Sequence, residues 1–130
     1  MQFAYTIVYV ADVAAALDFW ERAFGLPRRF LHESGAYGEL ESGATALAFV
    51  DHATALESVG RDYVAADDSA RPLGMEIGLA CADVAAAFER AVAAGAAPLR
   101  APVLKPWGQT VAYVRCPDGS LVELCTPMGA

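Results

Sequence analysis

One hexapeptide occurs twice in this chain: Ala11-Asp12-Val13-Ala14-Ala15-Ala16 returns unchanged as Ala82-Asp83-Val84-Ala85-Ala86-Ala87. In an alanine-rich chain so short an identity means little alone, so its context decides. Each copy follows an apolar stretch, Phe3 to Val10 and Ile77 to Cys81, and each is followed about a dozen residues later by a glycine, Gly25 and Gly95. The chain is thereby constrained to use one supersecondary unit twice within a single domain of 130 residues.

In the first unit Asp12 is placed to cap a helix, because its carboxylate can accept the free N–H groups of the first turn. Val13, Ala16, Leu17, Trp20 and Phe24 then form an apolar stripe at helical spacing, and Asp18 and Arg22 stand as an i,i+4 pair. Gly25 supplies the left-handed stop. The second unit repeats the pattern with Asp83 as cap, Val84, Ala87, Phe88 and Ala91 as stripe, and Gly95 as stop. Short extended segments follow each helix. In the first half they are Arg28 to Glu33, Tyr37 to Glu41 and Thr45 to Val50; in the second, Pro98 to Val103, Thr110 to Arg115 and Leu121 to Cys125. Ser34-Gly35, Ser42-Gly43, Pro106-Trp107-Gly108 and Pro117-Asp118-Gly119 mark the turns. Each half reads βαβββ, an α+β arrangement with module one at about 1–52, a polar linker at about 53–74 and module two at about 75–130. At its length the linker is expected to be a partly ordered flap.

Composition removes several classes. With 56% hydrophobic and 19% charged residues the chain is not a disordered one, and no window reaches the ~18 uninterrupted apolar residues of a membrane span. Nine Lys+Arg against sixteen Asp+Glu give a net charge of −7, which repels a phosphate backbone and disfavours nucleic acid as a partner, leaving cationic or neutral small ligands open. The Met-Gln-Phe start has no basic leader, so no secretory signal is expected. Three cysteines, Cys81, Cys116 and Cys125, are an odd set without C-x-x-C spacing. Neither a disulfide framework nor a zinc knuckle is expected, and a cytoplasmic setting is the simplest reading.

The tandem βαβββ units, the run from Val10-Ala11-Asp12 through Phe19-Trp20 to Phe24-Gly25-Leu26, then Pro106-Trp107-Gly108 and Pro117-Asp118-Gly119-Ser120-Leu121-Val122-Glu123-Leu124, resemble one family. It is the glyoxalase / bleomycin-resistance / extradiol-dioxygenase superfamily, also called vicinal oxygen chelate proteins. The resemblance covers almost all of the chain except the linker. It implies curled half-barrel sheets around a cavity, helices on the outer face, and a homodimer. In the family's enzymes a divalent metal is held by a His near the start of the first strand and a Glu in the last strand of each module, or variants of these. Counting back seven residues from each capping Asp places Tyr5 and Glu76 at the first-strand positions, and the last-strand positions fall on Ala48 and Glu123. Alanine has no donor atom and a neutral phenol is a poor one. No catalytic metal is expected, and two carboxylates alone suit at most a weakly held divalent cation.

Strand alternation turns Glu76, Gly78 and Ala80 toward the cavity and Ile77, Leu79 and Cys81 toward the helices, while Glu123 shares a face with Leu121 and Cys125. Were Glu76 and Glu123 to share one small cavity, repulsion would raise one pKa and favour a shared proton, a bound cation or an acid–base pair. Glu123 reads equally well as a structural acceptor in the cavity floor. Tyr5, Ile7 and Tyr9 share a strand face and with Trp107 can build an aromatic wall, although Trp107 also reads as a packed turn residue. Phe19 and Trp20 read as core. His32 has no special claim and His52, beside Asp51, reads as a solvated rim residue, so a zinc site is not expected. The cysteines read as inert thiols. The expected ligand site is thus Tyr5, Ile7, Tyr9, Ala48, Glu76, Gly78, Trp107 and Glu123, taking a small planar or cationic organic molecule. The preferred function is small-molecule binding of the bleomycin-resistance type, antibiotics included, without metal-dependent catalysis. The alternatives are a glyoxalase-like lyase or an isomerase/epimerase using Glu76 and Glu123, and a regulatory or structural dimer with no physiological ligand.

Overall fold

A computed structural model describes residues 1–129. Its first module comprises β1 (Tyr5–Val10), α1 (Val13–Phe24), β2 (Arg28–Leu31), β3 (Tyr37–Leu40) and β4 (Ala46–Asp51). A connecting segment holds α2 (His52–Val59) and a short 3-10 turn (Ala66–Asp68). The second module comprises β5 (Ile77–Ala80), α3 (Val84–Ala94), β6 (Ala97–Leu104), β7 (Thr110–Arg115) and β8 (Leu121–Cys125). The two four-stranded sheets have the same order, β1-β4-β3-β2 and β5-β8-β7-β6. In each, the first strand lies parallel to the last and the remaining pairs are antiparallel. The fold is therefore α+β, with tandem βαβββ modules and curled sheets.

The repeated hexapeptide starts equivalent helices for the expected chemical reason. Asp12 accepts the Ala15 N–H and Asp83 the Ala86 N–H, both at 3.0 Å. Gly25 at φ 70° and Gly95 at φ 120° end the helices in the left-handed region that side chains with a Cβ avoid. Val13, Ala16, Leu17 and Trp20 are buried as the stripe requires, and Phe19 joins them. The Asp18–Arg22 pair does not form. Asp18 instead meets Arg28 at 2.8 Å, and Arg22 turns to the Ala94 carbonyl at 3.3 Å.

That carbonyl belongs to the other module, and its partnership is typical of how the halves are joined. Arg90 on α3 donates from Nε to the Arg22 carbonyl at 2.8 Å, near the end of α1, and from Nη2 to the Glu21 carbonyl at 3.2 Å, which also accepts the Gly25 N–H. One hydrophobic core runs through both units, from Leu40, Leu47 and Phe49 past Leu17 and Trp20 to Val84, Ala91, Val114, Val122 and Leu124. With the helices packed on each other, the opposite faces of both sheets stay uncovered: Tyr5, Gly78 and Ala80 are exposed. The connecting segment is fastened to module two by Arg115, whose Nη2 donates to the carbonyls of Ala66 and Ser69, both at 2.8 Å. Among the described residues no helix is long and apolar enough to cross a membrane.

Candidate functional site

The period-two rule places alternate residues of β8 on opposite faces, and the burial follows it. Val122 and Leu124 enter the core, while Leu121, Glu123 and Cys125 are half-buried on the concave side. Ladder register then sets the neighbours of Glu123: Gly78 on β5 and Tyr113 on β7. The Tyr113 hydroxyl donates to Glu123 Oε2 at 3.0 Å. Burial, then the hydrogen bond to Glu123, push this phenol up to about 12, so it stays a proton-bearing donor. A Cβ at Gly78 would lie 3.7 Å from Glu123 Oε1, so glycine keeps the sheet open beside the carboxylate. Glu76 immediately precedes β5. Desolvation first, and the Glu123 charge second, raise its pKa above the ordinary carboxylate value.

The equivalent row in module one is Ile7, Ala48 and Glu39. Ala48 is fully buried and occupies the register position of Glu123. The carboxylate of this module stands on the neighbouring strand instead: Glu39 accepts from the Tyr37 hydroxyl at 2.6 Å and lies 3.7 Å from Arg29. Burial and Glu39 push Tyr37 up to about 12. Tyr37, Glu39 and Tyr113 escaped sequence reading because their importance comes from which strand pairs with which.

Between the two sheets, along the edge strands β1 and β5, lies a cavity of about 250 Å³. Thr6, Ile7, Val8 and Tyr9 form one wall, Glu76, Ile77 and Leu121 another, and Tyr63, Val64, Ala66, Leu73 and Met75 of the connecting segment close it. Of the residues expected from sequence, Ile7, Tyr9 and Glu76 reach this cavity. Tyr5, Ala48, Gly78 and Glu123 are not part of its wall; they lie on the concave faces beside it. Trp107 stands apart from both. It is 62% exposed in the β6–β7 turn, with its Nε1 donating to Gln109 Oε1 at 2.9 Å and Lys105 Nζ 5.9 Å from the ring centre. The aromatic wall expected from Tyr5, Tyr9 and Trp107 is instead Tyr9 with Tyr63, edge to face at 4.9 Å, because the connecting segment folds back over β1.

His52 also differs from expectation. It opens α2, which Asp51 caps through the Thr54 N–H at 2.8 Å, and both ring nitrogens are engaged. Nδ1 lies 2.6 Å from the Tyr63 hydroxyl and Nε2 lies 3.2 Å from Asp67 Oδ2. His32 bonds to Ser34 within an exposed turn. The three cysteines are free, and burial raises the thiol pKa of each, most strongly at Cys116, as suits unreactive thiols.

The metal implied by the resemblance finds a poor donor set. Ala48 offers no atom, the Tyr5 phenol is exposed, and Glu123 is already bonded by Tyr113. Among the described residues no group of three His, Cys, Asp or Glu side chains is arranged to hold an ion. These residues do not fit a resident transition metal.

A family model described as the Glyoxalase/Bleomycin resistance protein/Dioxygenase superfamily matches residues 2–124. Among solved structures, a glyoxalase-related enzyme from Fulvimarina pelagi is 27% identical, with a TM-score of 0.82 over 100% of this chain and 94% of that one. A glyoxalase/bleomycin resistance protein/dioxygenase family enzyme from Burkholderia phytofirmans PsJN is 20% identical, with a TM-score of 0.73 over 97% and 98%. TioX from Micromonospora sp. ML1 is 21% identical, with a TM-score of 0.68 over the same shares. Curated protein sequences give no significant match.

Proposed function

Because the chain belongs to the Glyoxalase/Bleomycin resistance protein/Dioxygenase superfamily, we propose that it uses the family cavity to bind a small organic cation with an apolar, planar body, as a bleomycin-resistance type of binding protein without metal-dependent catalysis. The observation that carries this is the seam cavity itself: a half-open cleft of mostly aliphatic and aromatic side chains with one carboxylate, Glu76, in its wall. Apolar pockets with few fixed polar groups are the usual form of a ligand site. Tyr9 and Tyr63 offer ring surface to a cation, and Glu76, held above its ordinary pKa by desolvation and by Glu123, is relieved by a positive ligand. Ala48 in the place of a metal donor supports binding over metal chemistry.

Calorimetric titration with a panel of planar cations, glycopeptides and aromatic antibiotics tests the reading. At least one member is expected to bind tighter than about a millimolar. Glu76→Gln should weaken that binding by about tenfold, an effect of ~1.4 kcal/mol, while Trp107→Phe leaves it unchanged. Failure of the whole panel, or equal affinity in Glu76→Gln, would overturn the proposal.

One observation favours a second reading, a lyase or isomerase: Glu76 and Glu123 form a carboxylate pair in which one member is raised, the arrangement suited to a general acid beside a general base. Turnover of an α-ketoaldehyde–thiol adduct, abolished in Glu123→Gln, would select it. Exposed apolar side chains also support a homodimer. Tyr5, Met75 and Leu104 are 54%, 64% and 70% exposed in the single chain, apolar surface that a second copy would cover. Sedimentation at tens of micromolar should give the mass of two chains, and a monomer would remove this part.

A further inference from the structure

Three side chains of the connecting segment are linked one to the next, and the last of them lines the cavity. Asp67 Oδ2 lies 3.2 Å from His52 Nε2, and His52 Nδ1 lies 2.6 Å from the hydroxyl of Tyr63, a residue of the cavity wall. We infer that this Asp67–His52–Tyr63 chain makes the Tyr63 oxygen a hydrogen-bond acceptor for the ligand, so that the cavity selects apolar compounds carrying an ammonium with N–H bonds over quaternary or neutral ones. The inference rests on the cavity being the ligand site.

Proton counting supplies the argument. A carboxylate has no proton to give, so the contact with Asp67 requires one on Nε2. The neutral ring then has its lone pair at Nδ1, and the Tyr63 hydroxyl must donate to it. A phenol has a single proton. With that proton committed, Tyr63 can only accept from anything else it meets. Edge-to-face contact with Tyr9 at 4.9 Å holds the ring in place, and the capped first turn of α2 holds the imidazole. Desolvation, Tyr9 and the carboxylates of Asp67 and Asp51 raise the phenol pKa, which keeps the proton in this bond. The one carboxylate of the cavity wall, Glu76, also accepts. Thr6, Tyr9 and Ser120 carry hydroxyls that can serve either way. Two fixed acceptors in one apolar cleft are complementary to a ligand that brings donors. A quaternary ammonium answers the charge of Glu76 but leaves Tyr63 unpaired, and a desolvated acceptor left unpaired lowers affinity.

Three probes of similar shape separate these contributions: phenethylammonium, its N,N,N-trimethyl derivative and propylbenzene, titrated at about pH 8, where an ordinary imidazole is neutral. The parent protein is expected to bind phenethylammonium about tenfold tighter than the trimethyl cation. Tyr63→Phe should abolish that preference and leave propylbenzene within about twofold of the parent. His52 acts through Tyr63 and is a positioning residue: His52→Ala should lose the preference, and His52→Asn, whose Oδ1 can stand where Nδ1 accepts, should retain it. Propylbenzene binding with equal affinity for the two cations, or a preference that survives in Tyr63→Phe, would overturn the acceptor role while leaving the cavity as a ligand site. Failure of all three probes to bind would overturn both.

Discussion

Trp20→Ala is expected to lose about 3–5 kcal/mol of folding stability, a large share of the roughly 5–15 kcal/mol available to an ordinary domain. The side chain is fully buried and packs on Phe24 and Phe49, with ring centres 4.8 and 5.8 Å away. Its Nε1 donates to Asp118 Oδ2 at 2.9 Å, while Asp118 Oδ1 accepts the Ser120 N–H at 2.8 Å and so holds the Pro-Asp-Gly turn of the other module. Truncation therefore removes core volume and an inter-module hydrogen bond together. Trp20→Phe refills most of the space and leaves Asp118 Oδ2 without the indole donor, so it should lose about 1–3 kcal/mol. Trp107→Ala is the contrast, an exposed turn residue whose loss should stay within ~0.5 kcal/mol. Urea unfolding followed by circular dichroism measures all three. A loss under ~1 kcal/mol in Trp20→Ala would contradict a core shared by the two modules.

The difference between the two tryptophans marks where sequence reading works. Trp20 lies on a stripe whose period is set by the helix, and the caps at Asp12 and Gly25 are contacts between residues close in the chain, so fold, helices and core follow from local chemistry. The concave face is less local. Facing along β5 and β8 was legible from alternation, which turned Gly78 to the cavity and put Glu123 on one face with Leu121 and Cys125; that Gly78 and Glu123 lie side by side comes from the ladder register. Glu39 was not legible, because its relation to Ala48 exists only through the pairing of β3 with β4. Asp18 obeyed the same limit: the spacing to Arg22 was right for an ion pair, yet Arg28 offered a closer partner once β2 folded back.

The connecting segment was legible only in outline. Asp51 through Gly74 is polar and rich in turn residues, which reads as a partly ordered flap; the ordered parts are a helix capped by Asp51 and a 3-10 turn, and Tyr63, Val64, Ala66 and Leu73 line the cavity. His52 meets partners 11 and 15 residues further on, a return of the chain that no local pattern announces. A tyrosine amid acidic residues in such a segment, within reach of one of only two histidines, was the available signal.

The strongest test of that segment as part of the site is Gly119→Ala. Gly119 sits at φ 90°, and a Cβ there would fall on the carbonyl group of Ala66, backbone against backbone with no side chain able to yield. Either the Pro-Asp-Gly turn gives way or the 3-10 turn at Ala66–Asp68 lifts, and Arg115 cannot hold both Ala66 and Ser69 if it does. Ala66 and Gly119 are cavity wall, and Asp67 anchors His52, so displacement should enlarge the opening and break the chain to Tyr63. Binding of phenethylammonium is expected to fall by more than about tenfold, with faster amide exchange through residues 63–68 and a stability loss of about 1–3 kcal/mol. Gly108→Ala separates contact from conformation. That glycine has φ 100° but open space around it, so alanine there carries only the left-handed penalty of about 1–2 kcal/mol and should bind as the parent does. Equal binding by the Gly119 and Gly108 variants would mean that the segment does not shape the cavity in solution. A selective loss in Gly119→Ala would tie ligand affinity to one backbone contact between the second module and the segment that joins it to the first.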